Sequence, residues 1–156
     1  MAPLIRIQCS FNLRNFTTGN GNLQNKTTMK QVLIVDDDDQ IRDSLKFFFE
    51  DSDFKTYTAA NPREGRLLYE MHQDCVVITD MFMPDRGGFG LIKDLKEQFP
   101  NAKIIAMSGG VNIGIGGFRQ GKRKSLDLAK NYGVNYVFAK PLDMDELLAS
   151  VLTLCQ

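Results

Sequence analysis

The sequence predicts an α/β protein built on a five-stranded parallel sheet, and three observations carry that prediction. From Lys30 onward, short β-branched apolar runs alternate with stretches of helical period, which is the signature of successive βα units. The three runs richest in Val and Ile are continuous rather than alternating, so they read as strands buried on both faces. Punctuation falls between the two kinds of segment: Pro62 follows Asn61 near a helix start, and Gly133 follows Asn131-Tyr132 at a helix end.

Taken in order, the first strand spans 31–35 and carries Val32-Leu33-Ile34-Val35. The helix after it sets Ile41, Leu45, Phe48 and Phe49 on one stripe, with Asp38 or Asp39 suited to cap its positive N-terminal end. A strand at 54–58 leads to the helix opened by Pro62, and a strand at 75–79 leads to a helix whose stripe is Leu91, Ile92, Leu95 and Phe99. The fourth and fifth strands are placed at 102–107 and 135–138, and Met144, Leu147, Leu148 and Val151 form the stripe of the last helix. Between strands four and five lies 108–121, which holds six of the 13 glycines and reads as a long loop.

A chain of 156 residues, 43% hydrophobic and 24% charged, has the proportions of one ordinary globular domain. Folding buries roughly two thirds of the unfolded surface at this size, so no disulfide or metal staple is needed for a core. The three cysteines Cys9, Cys75 and Cys155 are odd in number and widely spaced, which argues against a disulfide framework or a zinc site and for a reducing, cytoplasmic setting. Nineteen basic and nineteen acidic residues cancel, so nothing at whole-chain level favours nucleic acid or an anionic membrane. No apolar run is long enough to span a bilayer, and no signal sequence is recognisable. Residues 1–28 contain Arg6, Arg14 and Lys26 but no acid, and show no periodicity. They read as a disordered arm, a transit-like segment, or the product of an early start assignment, with the working domain at 29–156; the last reading is favoured because Met29 opens directly into a strand.

Ligands of open parallel sheets bind outside the carboxyl ends of the strands, so the residues there are the ones that matter. Asp36, Asp37, Asp38 and Asp39 follow the first strand, Asp80 the third, Ser108 the fourth, and Lys140-Pro141 the fifth. Asp38 and Asp39 are explained as helix-start residues. Asp36 and Asp37 sit beside a buried strand, where clustered carboxylates repel one another unless a cation intervenes. Hard oxygen donors completed by water suit Mg²⁺ better than zinc.

Asp36-Asp37, Asp80-x-x-Met83-Pro84-x-x-Gly87, Ser108 and Lys140-Pro141, each at its expected strand end, resemble the receiver domain of bacterial response regulators over about 30–156. The resemblance implies a flavodoxin-like, doubly wound fold with strand order 2-1-3-4-5 and five surrounding helices. It implies that Asp80 is the phosphoacceptor, taking a phosphoryl group from a histidine kinase or a histidine phosphotransfer protein. It places Mg²⁺ on Asp37, Asp80 and the Phe82 carbonyl, with Asp36 orienting the acidic pocket through water. Lys140 would pair with one phosphoryl oxygen and Ser108 would donate to another, with Gly109 leaving access open. A carboxylate needs no general base for this attack, only charge neutralisation as the anion approaches. Only one helix follows Lys140, so the expected output is altered binding of a separate, unidentified protein, with neither nucleic acid nor membrane as partner.

Two features depart from the family pattern. Val137 stands where the family carries its switch aromatic, three residues before the lysine, and the 108–121 loop lengthens the interval from Ser108 to Lys140. Gly116 to Lys122 mimics a phosphate-binding loop, but Arg123 occupies the position that needs Ser or Thr. Arg119, Lys122, Arg123 and Lys124 read as a solvated basic face. His72, the single histidine, lacks a metal partner, and Cys75 reads as a small core residue. Two other classes stay in view: an aspartate-nucleophile phosphohydrolase, which would carry a second Asp where Phe82 stands, and a receiver-like interaction module that takes no phosphate.

Overall fold

The computed structural model describes residues 29–84, 87–109 and 130–156. The order of elements is β1 (Gln31–Val35), α1 (Asp39–Asp51), β2 (Lys55–Ala59), α2 (Pro62–Met71), β3 (Val76–Asp80), α3 (Gly87–Gln98), β4 (Ile104–Ser108), β5 (Tyr136–Ala139) and α4 (Met144–Leu154). All strand pairs are parallel, in the order β2-β1-β3-β4-β5. The expected α/β class and strand order are therefore both present. Five helices are expected; four are complete among the described residues, and between β4 and β5 the described Lys130 and Asn131 are also helical, with 110–129 outside the described residues. Residues 1–28 with Cys9, the glycine-rich segment beyond Gly109, and the basic cluster at Arg119 and 122–124 also lie outside the described residues.

Strands two to five begin one or two residues later than the apolar runs suggest. Phe54, Cys75 and Ala102 are buried, yet their amides serve turns: Phe54 N–H donates to Phe49 O, Cys75 to His72 O and Ala102 to Phe99 O. Burial made them look like strand residues, while their hydrogen bonds close the preceding turns.

The central strands β1, β3 and β4 are buried almost throughout, whereas β2 and β5 form the half-exposed edges. Side chains alternate across the sheet and divide the core in two. Leu33, Val35, Val77, Ile104 and Ala106 meet Tyr69 of α2 and Leu91, Ile92 and Leu95 of α3 on one face. Val32, Ile34, Ile78, Ile105 and Met107 meet Leu45 and Phe49 of α1 and Leu147 and Val151 of α4 on the other. The expected helical stripes are the faces that pack here, Ile41, Phe48, Met144 and Leu148 lying half-buried at the margins.

Caps fix where the helices start and hence where the strand ends open. Asp38 caps α1 by accepting from Gln40 N–H and Ile41 N–H. Asn61 accepts from Glu64 N–H ahead of Pro62, and Asp143 accepts from Glu146 N–H at α4. Gly133 has φ of +74°, a conformation glycine adopts without a Cβ penalty.

Candidate functional site

Five residues singled out in the sequence meet at the carboxyl edge of the sheet. Asp36 follows β1 directly and is wholly buried, while Asp80 and Ser108 are the final residues of β3 and β4 rather than the first residues beyond them. That small correction follows from the strand shift above, and it anchors both side chains in the sheet ladder. Asp80 stands opposite Met107, and Ser108 opposite Ala139, next to Lys140. Lys140 N–H donates to Ser108 O at 2.9 Å, which ties the β5 exit to β4. The Lys140–Pro141 peptide is cis.

Lys140 Nζ bridges two carboxylates, at 2.8 Å from Asp36 Oδ2 and 2.9 Å from Asp80 Oδ2. Burial alone would push this ammonium down, but the hydrogen bonds and charges of Asp36 and Asp80 outweigh it and hold it above its ordinary value. The remaining oxygens are also tied: Asp36 Oδ1 accepts from Asp38 N–H at 2.9 Å, and Asp80 Oδ1 from Phe82 N–H at 3.0 Å. Asp37 is exposed and completes the acidic triad. One oxygen from each of Asp36, Asp37 and Asp80 can be chosen so that all lie within 4.8 Å of one another. Among the described residues this is the one His/Cys/Asp/Glu group suited to a cation. Three hard oxygen donors around an open side fit the needs of Mg²⁺, which keeps several waters.

The approach from β3 to α3 is unusually tight. A Cβ on Gly88 would lie 1.8 Å from Asp80 O and 2.9 Å from Met81 Cα, so the helix start rests directly on the backbone of Asp80. Gly87 has φ of +60°. Met83 is buried in the core beside α3, while Phe82 is exposed and packs edge-on against Phe89 at 6.1 Å. Among the described residues, a Cβ on Gly109 would meet nothing within 4 Å.

Other expectations fall away from the site. Val137 is half-buried on the α2–α3 face, whereas Phe138 is buried in the α1–α4 layer and Tyr136 is exposed. Phe138 therefore cannot stand in for an aromatic at position 137. His72 closes α2 and stacks on Tyr57 at 4.0 Å, far from any ligand role. Sequence reasoning missed Arg42, whose Nη1 donates to Asp36 O at 2.6 Å and whose Nη2 pairs with Asp39. Its signal is the Asp39–Arg42 spacing of three at a helix start, which is easily read as a surface pair.

Comparison with known proteins points the same way. The response regulator Rre1 of Synechocystis is 33% identical over 128 residues, covering 79% of this chain and 50% of that protein. The regulatory protein AtoC of Escherichia coli is 29% identical over 122 residues, covering 78% of this chain and 24% of that protein. The chain thus spans half or less of the length of these curated relatives. Among solved structures, the receiver domain of the Francisella response regulator 1452 aligns at 28% identity with a TM-score of 0.67, covering 81% of this chain and 96% of that one. A receiver domain protein from Clostridium thermocellum shares the fold at a TM-score of 0.70 and 24% identity, over 81% and 94% of the two chains. Among the described residues no helix is long and apolar enough to cross a membrane. The family model of the response regulator receiver domain matches residues 32–152, and with the parallel sheet and acidic strand-end pocket described above, this chain belongs to that family.

Proposed function

We propose that the 29–156 domain accepts a phosphoryl group on Asp80 from a phosphohistidine of a partner kinase or phosphotransfer protein in the cytoplasm, and signals by changing its affinity for a downstream protein. The observation that carries this reading is Lys140 Nζ held between Asp36 and Asp80, beside Asp37. An Asp80 carboxylate oxygen forms the new bond to phosphorus as the phosphorus–nitrogen bond of the donor breaks, and the departing imidazole keeps the electron pair and takes up a proton. Asp80 starts as a carboxylate, so no base is required. Mg²⁺ bound by the Asp37 and Asp80 carboxylates and the Phe82 carbonyl would offset the charge of the incoming phosphoryl oxygens. Lys140, already fully protonated, shifts from Asp80 Oδ2 to a phosphoryl oxygen, while Asp36 keeps it in place. Ser108, at the end of β4, donates its hydroxyl to another oxygen, and Gly109 leaves the entrance clear. Met81 is buried and Phe82 is apolar, so the general acid of a phosphohydrolase is lacking at these positions. With Val137 in the switch position, the phosphate-dependent change is carried by the Ser108 contact rather than by a rotating ring.

The test is intact-mass spectrometry after incubation with Mg²⁺ and a small acyl-phosphate donor. One phosphoryl adduct that requires both Mg²⁺ and Asp80, and is absent from Asp80→Asn, is the expected result. A folded protein that takes no adduct overturns the proposal in favour of an interaction module without phosphate chemistry.

A further inference from the structure

We propose that Arg42 is a positioning residue that holds the β1–α1 loop in the shape needed to bind the divalent cation, acting through Asp36 without touching either cation or phosphoryl group; this rests on the acceptor-site reading above. The side chain of Arg42 is only 15% exposed although it stands in the first turn of α1. It grips the loop at two points, the Asp36 carbonyl through Nη1 and the Asp39 carboxylate through Nη2. Its own amide also donates to Asp38 O at 3.0 Å. A single residue therefore brackets the four-residue segment that carries two of the three pocket carboxylates.

Asp36 is held at every polar group. Its N–H donates to Ala59 O, its two carboxylate oxygens accept from Asp38 N–H and Lys140 Nζ, and Arg42 takes the carbonyl that the sheet leaves free. Asp37 differs, since among the described residues its carboxylate receives no hydrogen bond. Its direction is set by the backbone on either side, and the Arg42 bracket fixes that backbone at Asp36. A rigid planar fork can satisfy two acceptors at once, whereas a lysine ammonium acts as a point charge.

The sign of the effect separates positioning from simple electrostatics. A guanidinium near the pocket repels a dication, so charge alone predicts tighter Mg²⁺ binding once Arg42 is removed. Positioning predicts the opposite. Residues that orient metal ligands typically contribute about 10- to 100-fold in affinity.

The experiment measures Mg²⁺ affinity of the full chain by calorimetry, together with the rate of phosphorylation by an acyl-phosphate donor as Mg²⁺ is varied, for Arg42→Met and Arg42→Lys. The expected result is a Kd for Mg²⁺ weakened about 10-fold in Arg42→Met, a smaller loss in Arg42→Lys, and a rate at saturating Mg²⁺ close to that of the parent. An unchanged or tightened Kd, or a rate lost equally at saturating Mg²⁺, overturns the proposal. If Arg42→Met does not fold, Arg42→Lys decides by the same criteria. Should the parent protein bind Mg²⁺ and Asp80→Asn still accept phosphate, the acceptor reading fails while the loop-positioning result stands on its affinity data. Should the parent bind no Mg²⁺, both fall.

Discussion

Replacing Lys140 with Met tests the electrostatic logic of the pocket most directly. The lysine Nζ lies 2.8 and 2.9 Å from two carboxylates whose side chains are 0% and 9% exposed, and its own side chain is 19% exposed. At those separations and an effective dielectric of about 20, each attraction is worth roughly 6 kcal/mol before desolvation is subtracted. Most of that gross figure offsets the cost of taking the charges out of water, so the attraction does not measure the loss. Removing one partner of a buried pair typically costs about 3–5 kcal/mol because it strands the other charge. Water at the Lys140 edge softens this, and we expect Lys140→Met to lose about 2–4 kcal/mol in the absence of divalent cations. Urea unfolding followed by far-UV circular dichroism, with a chelator present, measures it. A triple variant that adds Asp36→Asn and Asp80→Asn removes the stranded charges and should recover most of the loss. A Lys140→Met stability within about 0.5 kcal/mol of the parent, or a triple variant no better than the single one, refutes the reasoning.

Gly88→Ala should cost more than about 3 kcal/mol, read as a lowered thermal midpoint, because its Cβ would fall 1.8 Å from a backbone oxygen that cannot move independently of β3. Gly65→Ala is the matched control, since its nearest obstacles are the Val35 and Leu91 side-chain methyls at 2.9 to 3.3 Å, and it should lose less. Burial pushes the Cys75 thiol up to about 12, reinforced by the charge of Asp74 and partly opposed by a backbone hydrogen bond. A raised value means less thiolate at any given pH below it, so Cys75 should resist a disulfide reagent at pH 8 in the native state and react on unfolding; peptide mapping that finds it labelled in folded protein would contradict this.

Much of the architecture was legible because buried parallel strands and one-sided helices write their periods directly into the sequence. The runs around Leu33, Ile78 and Ile105, and the stripes at Leu45, Leu91 and Leu147, needed no tertiary information. Strand starts were less legible, since Phe54, Cys75 and Ala102 are apolar for packing while their amides serve turns. The acidic site was readable because its members lie at strand ends, where topology alone brings Asp36, Asp80 and Lys140 together. Arg42 was not, because nothing local distinguishes an arginine that turns back onto a carbonyl from one that extends into water. Nor does any sequence period announce that Gly88 lies against Asp80.

The division of the core by the sheet also bears on how the molecule can diverge. Substitutions farther apart than about 7–10 Å usually contribute independently, so changes around Leu95 under α3 and around Leu147 under α4 should be separable in effect. Each helical layer can thus be remodelled for a different neighbour without renegotiating the other. What both layers hold in common is the carboxyl edge of the strands, where Asp36 and Asp80 are fixed. Changes in the two helical layers are therefore expected to act nearly independently, around the Asp36 and Asp80 strand ends that both layers share.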